Sequence, residues 1–223
     1  MQAQRPKQAM IIVLVAMAVT LLAALNLFYG LAKDRPTQVS HLPPDLVGTL
    51  LPSPKTLTDF QLTDHHGQAW TLERLRGQWS LLFFGYTHCP DVCPMSMGFL
   101  GDVFTHLGNK PFGETKVQGI FISVDPKRDT TDLLRDYVTF FNPGFLGVTG
   151  KEVALKELSR QVGAFYAVNP GGTEDAYEVT HSSAFFLIAP TGNLVGVLSP
   201  NNNSPDLAAE KIKRIVSHLG GKK

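Results

Sequence analysis

Apolar residues follow several patterns along this chain. From Met10 to Leu31 they form a nearly unbroken block, with Thr20 and Asn26 the main exceptions. A helix over that block would be roughly 33 Å long, enough to cross a ~30 Å hydrocarbon core. Gly30-Leu31-Ala32 could pass for a signal-peptide cleavage site, but the block exceeds the usual apolar region of roughly 7–15 residues. The pattern therefore predicts a transmembrane anchor over 10–31, behind a short cytoplasmic tail at 1–9. Residues 32–55 carry Pro36, Pro43, Pro44, Pro52 and Pro54 and little periodicity, as in an extended linker.

A folded domain is expected over 56–223. Phe60 to Leu72 alternates about a glycine-containing turn, which predicts a hairpin. Trp79–Tyr86 and Val117–Val124 are continuous apolar runs, as expected of strands buried on both faces. Helical spacing marks a segment from about Pro94 to Leu107, Thr130–Phe140, Lys151–Val162 and Leu207–Leu219. Phe145–Val148, Ala184–Ile188 and Leu194–Leu198 read as strands, the last two joined at a Pro190-Thr191-Gly192-Asn193 turn. Strands alternating with helices, closed by an antiparallel pair and a helix, define an α/β fold with a mixed sheet. A cysteine pair where the first central strand meets its helix is the thioredoxin-like placement.

Composition narrows the function. The 223 residues carry a formal charge of +1 and no basic run beyond Lys222-Lys223, which argues against nucleic acid as a partner. Two cysteines are too few for a disulfide framework or a four-thiolate zinc site.

Both cysteines lie in Gly85-Tyr86-Thr87-His88-Cys89-Pro90-Asp91-Val92-Cys93-Pro94. Residues i and i+4 at a helix start share one face, a separation that suits a disulfide, a redox-active dithiol or two soft metal ligands. A bridge over so short a loop removes little chain entropy, so a purely structural Cys89–Cys93 disulfide is the weakest of the three. Pro94 suits a first helical turn, and it pushes Cys93 toward a capping role. The positive end of the helix should favour thiolate at Cys93 and Cys89.

The cysteine string closely resembles the signature of the Sco/SenC family. So do Ser123-Val124-Asp125-Pro126-Lys127-Arg128-Asp129-Thr130 and Thr180-His181-Ser182 entering an apolar strand. The likeness runs from about Leu57 to Leu219 and includes the N-terminal apolar block. It implies a membrane-anchored thioredoxin-like domain that binds copper, Cu(I) or Cu(II), and assists assembly of the copper A site of cytochrome c oxidase. Partners implied are the copper A subunit, other copper carriers and thiol-disulfide proteins. Carried over position by position, the ligands are Cys89, Cys93 and His181, with Asp125 near the site. The same cysteines would be the redox pair, and an oxidised Cys89–Cys93 pair binds no copper through sulfur. This chain has Thr180 where the family often has aspartate, which removes a negative charge beside the histidine. An N-terminus without an Arg- and Ser-rich transit pattern favours a bacterial inner membrane with the domain facing the periplasm.

Other residues receive plainer readings. His65-His66 is expected to be a solvated turn whose adjacent side chains diverge. His88 is expected to serve the loop and not to ligate, because neighbours rarely bind one ion. Met95 and Met97 are expected to fill gaps in the core. Lys127 and Arg128 are expected on a solvated face. Two alternatives to copper delivery stay open: an anchored thiol-disulfide oxidoreductase, with Cys89 attacking and Cys93 resolving, and a peroxidase-like thioredoxin-fold protein.

Overall fold

The computed structural model describes residues 5–33, 42–108, 116–169 and 177–220; within the first stretch, side chains are described at 10–23 and 25. The chain divides into two compact units, Met1–Ser40 and His41–Lys223.

The first unit contains helix α1 (Arg5–Lys33). Its described side chains are all exposed. Among the described residues no helix is long and apolar enough to cross a membrane. The span expected over 10–31 is thus not realised within the described side chains. The rest of it, and linker residues 34–41, lie outside them.

The second unit is built on an eight-stranded sheet and a separate two-stranded ribbon. In chain order the strands are β1 (Leu50–Thr56), β2 (Gln61–Asp64), β3 (Ala69–Thr71), β4 (Trp79–Gly85), β5 (Val117–Ser123), β6 (Leu146–Thr149), β7 (Tyr166–Asn169), β8 (Glu178–His181), β9 (Phe185–Ile188) and β10 (Asn193–Leu198). The sheet order is β1-β10-β9-β4-β5-β6-β2-β3, and β7 and β8 pair alone. β4 runs parallel to β5, and β5 to β6, while β9 lies antiparallel on the other side of β4. The sheet is therefore mixed, as the alternation of elements predicts.

All seven residues of β4 are buried, which explains its unbroken apolar run. Phe83 and Phe84 leave the strand on opposite faces, and Phe83 packs against Phe185 at 5.2 Å between ring centres. Helix α2 (Val92–Leu107) follows and ends at Gly108, whose φ of 75° is a conformation open to glycine. Its buried stripe is Cys93, Met97, Leu100, Val103 and Leu107, a helical period that seats one face in the core. Cys93 is part of that stripe. Helices α3 (Thr131–Phe141), α4 (Glu152–Val162) and α5 (Pro205–Gly220) complete the fold, with α5 packed on α2 and α3 over β6.

Three expectations need correction. The domain starts before residue 56: β1 pairs with β10, from Leu50 opposite Gly196 to Thr56 opposite Asn193, and Leu46 is fully buried. β1 is an edge strand, where prolines such as Pro52 and Pro54 are tolerated. α2 begins at Val92 with Asp91 as its cap, so Cys93 is inside the first turn and does not cap it. His65 is not solvated: it is buried, and its Nδ1 accepts the N–H of Gly147 at 3.0 Å. Nor do the two rings diverge, since His65 Nε2 and His66 Nε2 are 3.0 Å apart.

Candidate metal centre

Three elements meet at the end of β4. The turn after it carries Cys89, the first turn of α2 carries Cys93, and the end of β8 carries His181. Their ligand atoms all lie within 4.8 Å of one another, the one such cluster of three or more among the described residues. Both cysteines are free thiols.

Burial sets the state of each group. Cys93 is fully buried, and burial pushes its thiol well above the ordinary range. The expected thiolate at Cys93 is therefore corrected: in the apo protein desolvation outweighs the helix N-terminus. Cys89 is only half-buried, and its Sγ accepts the Cys93 N–H at 3.4 Å. Cys93 Sγ accepts the Tyr86 N–H at 3.5 Å and lies 2.9 Å from His181 Nε2.

The imidazole is pre-set as a ligand. His181 Nδ1 lies 3.1 Å from the Ser182 carbonyl oxygen, which can only accept, so Nδ1 carries the proton. The lone pair on Nε2 then faces the sulfurs. Burial lowers the pKa of His181, which keeps the ring neutral. A hydrogen-bonded second nitrogen is the usual support for a metal-ligating histidine. Edge contacts with the rings of Phe83 and Tyr86, at 5.7 and 6.0 Å, hold its plane. Two soft sulfurs and one neutral imidazole suit copper better than calcium or magnesium, which take oxygen ligands. The residues present thus fit a copper ion.

The remaining candidates fall elsewhere. His88 turns away, its Nδ1 3.1 Å from Thr87 Oγ1 and 3.4 Å from Asp129 Oδ1. Met97 is fully buried in the core, whereas Met95 is exposed and fills no gap. Thr180 Oγ1 accepts from Asn169 Nδ2 across the ribbon at 2.8 Å. Asp125 is buried and accepts from Arg128 Nε and from the Tyr177 hydroxyl. Arg128 consequently does not lie on a solvated face. Sequence reasoning passed over Asp129, which is also buried. It accepts from Thr87 N at 3.0 Å, Thr87 Oγ1 at 2.6 Å and Ser123 Oγ at 2.6 Å. That carboxylate ties the cysteine loop to the end of β5.

Residues 49–217 match the SCO1/SenC family model. The chain belongs to the SCO1/SenC family. A relative is the bovine mitochondrial SCO2 homologue, 42% identical over 134 residues, which are 60% of this chain and 50% of that protein. The chain thus spans about half the length of that curated relative. The copper-bound structure of Bradyrhizobium japonicum ScoI is 34% identical at a TM-score of 0.63, covering 71% of this chain and 98% of that one. Copper-bound yeast Sco1 is 30% identical at a TM-score of 0.67, covering 76% and 96%. The α/β thioredoxin-like fold of this family is the one found here.

Proposed function

We propose that this chain is a copper carrier: it holds one copper ion through Cys89, Cys93 and His181 and assists metallation of the copper A site of cytochrome c oxidase. The observation that carries the reading is the convergence of the three ligand atoms within 4.8 Å, from positions 88 residues apart in the case of Cys93 and His181. Copper supplies a soft, redox-flexible centre; the chain's own residues decide how it is held. Thiolates favour Cu(I) and imidazole accepts either state, so the donor set accommodates both. Cys93 is buried in the core, while Cys89 and His181 are both half-buried; Cys89, in a turn, is the thiol through which another protein's sulfur can approach. Handing on the metal then proceeds by exchange of ligands, with Cys89 the first open to displacement.

Copper titration of the full chain tests the reading. One ion should bind per chain, and His181→Ala should weaken Cu(II) binding by at least about tenfold. Absence of 1:1 binding, or binding indifferent to His181→Ala, rules the proposal out.

A second reading is a thiol-disulfide oxidoreductase. It is favoured by two free thiols one helical turn apart, the outer one half-buried. Cys89 would attack, Cys93 would resolve, and the pair would close to a disulfide that no longer binds copper through sulfur. Full activity in cells with His181→Ala, together with its loss in Cys89→Ala, selects this reading over the first.

The reading also places residues 10–31 in a membrane as an anchor, residues 1–9 on the cytoplasmic side, and the domain in a bacterial periplasm. Its support is the apolar run in the sequence within a continuous 29-residue helix with exposed described side chains. Extraction of membranes at alkaline pH is the check: release of the intact chain into the soluble fraction would contradict an anchor.

A further inference from the structure

The ribbon β7–β8 carries His181, yet it forms a sheet of its own, apart from the eight-stranded one. An isolated pair of short strands is marginal in water. Some support comes from its His181 end, where Ser182 N donates to Phe165 O at 2.9 Å and Phe165 N to Ser182 Oγ at 2.9 Å. Val179 is buried against the core. The opposite end of β8 is held by side chains from elsewhere in the fold.

Tyr177 directly precedes β8, and the Arg128 guanidinium lies over its ring, with Cζ 3.7 Å from the ring centre. Arg128 Nη1 also donates to the Tyr177 carbonyl oxygen at 3.2 Å. Buried Asp125 accepts from both residues, one carboxylate oxygen each. The ring of Tyr86 is also near Arg128, its centre 5.6 Å from Cζ. Tyr86 is the residue whose N–H reaches Cys93 Sγ and whose ring edge meets His181. Arg128 therefore sits between the cysteine loop and the base of the histidine strand.

We propose that Arg128, oriented by Asp125, is the positioning residue for His181: by fastening Tyr177 to the cysteine loop it keeps the imidazole within reach of the two sulfurs. A planar guanidinium can stack on two rings and donate in its own plane; an ammonium cannot. The inference deepens the copper reading and rests on it for its metal readout alone.

The test uses the full chain with Arg128→Lys and Tyr177→Phe, beside His181→Ala. The first keeps the charge without the plane; the second keeps the ring and loses the hydroxyl to Asp125. In the apo protein, hydrogen exchange at residues 178–181 should quicken by about tenfold or more in Arg128→Lys, and less in Tyr177→Phe, with β4 and β5 unchanged. With Cu(II), Arg128→Lys should lose about tenfold in affinity and show weakened nitrogen coupling in its electron paramagnetic resonance spectrum, as His181→Ala does. Wild-type exchange in both variants, with unaltered nitrogen coupling, overturns the proposal. If Arg128→Lys does not fold, Tyr177→Phe decides alone. If the wild-type chain binds no copper, the copper reading fails, and apo exchange still decides whether Arg128 holds the ribbon.

Discussion

Gly85 is the last residue of β4, and the seat of Cys93 depends on its missing side chain. A Cβ there would lie 2.7 Å from Cys93 Sγ, 2.9 Å from Phe121 Cε2 and 3.2 Å from Phe83 Cε1. Comfortable contacts between such atoms are about 3.5–4.0 Å, so in Gly85→Ala the sulfur or the rings must retreat by about 1 Å. The rings have little room: Phe83 and Phe121 are fully buried and 6.1 Å apart between centres. The sulfur should yield, and its contacts with Tyr86 N and His181 Nε2 should lengthen. Overpacking of this kind costs about 1–3 kcal/mol. For a domain of this size that is a fall in melting temperature of roughly 2–4 °C per kcal/mol. A ligand moved by that much should lower copper affinity by about 10–100-fold, the range found for disturbed ligand support.

The assay is competition for Cu(I) against a chelator of known affinity, with a thermal melt of the apo protein beside it. Gly119→Ala supplies the control. Its Cβ would meet Phe145 Cε1 at 2.5 Å, a comparable clash centred on a ring with no metal ligand among its nearest atoms. Both variants should lose stability, and only Gly85→Ala should lose copper in excess of that loss. Equal copper affinity in Gly85→Ala and wild type would refute the claim that Gly85 makes room for the sulfur.

Three further outcomes follow from single groups. Asp129→Asn should destabilise the fold by about 1–3 kcal/mol in denaturant unfolding, because the buried Ser123 hydroxyl and the half-buried Thr87 donors lose a charged acceptor; an unchanged midpoint contradicts this. Burial raises the pKa of the Cys93 thiol, so copper loading should release at least one proton, and affinity should fall about tenfold for each unit by which pH is lowered, per proton released; a pH-stat trace showing no release contradicts it. Burial, then the neighbouring His66, lowers the pKa of His65, so the unfolded chain binds the proton more readily than the folded one. That contribution is complete above the unfolded value of about 6.5 and is lost as pH falls below it toward the lowered folded value. Urea midpoints at several pH values should drop accordingly in the wild type, and less in His65→Asn, which retains an acceptor but cannot titrate.

The legible parts of the sequence were those whose signal is local. β4 and β5 are buried on both faces and read as apolar runs; α4 has a periodic face and the stop at Gly163, in the left-handed region. The ligand set came from motif resemblance, since no spacing connects Cys93 to a histidine 88 residues away. Illegible parts depend on distant partners. β1 became a strand because β10 was there to pair with it, in spite of its prolines. β7, with its half-buried and exposed residues, is defined only by its ladder to β8. His65 is buried because Gly147, 82 positions on, needs an acceptor. Asp125 and Asp129 stand four apart in one motif, and only the fold shows that the second grips the cysteine loop while the first grips Arg128 and Tyr177.

The ligands belong to regions of the fold with different mechanical support. Cys93 is on the buried stripe of α2, between a central strand and the helix itself, so displacing its sulfur means disturbing the core. His181 is on a two-stranded ribbon outside the main sheet, anchored to the core through Val179 and the packed ring of Tyr177. Cys89 sits in a turn, half-buried. A site made wholly of core residues would bind an ion and keep it, because every route out would require global unfolding. A site made wholly of loop residues would not hold its ligands together before the ion arrived. Here one sulfur is fixed in the core, one is accessible in a turn, and the imidazole is on a ribbon outside the main sheet that Arg128 and Tyr177 fasten to the cysteine loop. Under the copper-carrier proposal, that division would let the same three atoms form a pre-assembled site and release the ion by successive exchange of ligands, the half-buried Cys89 first.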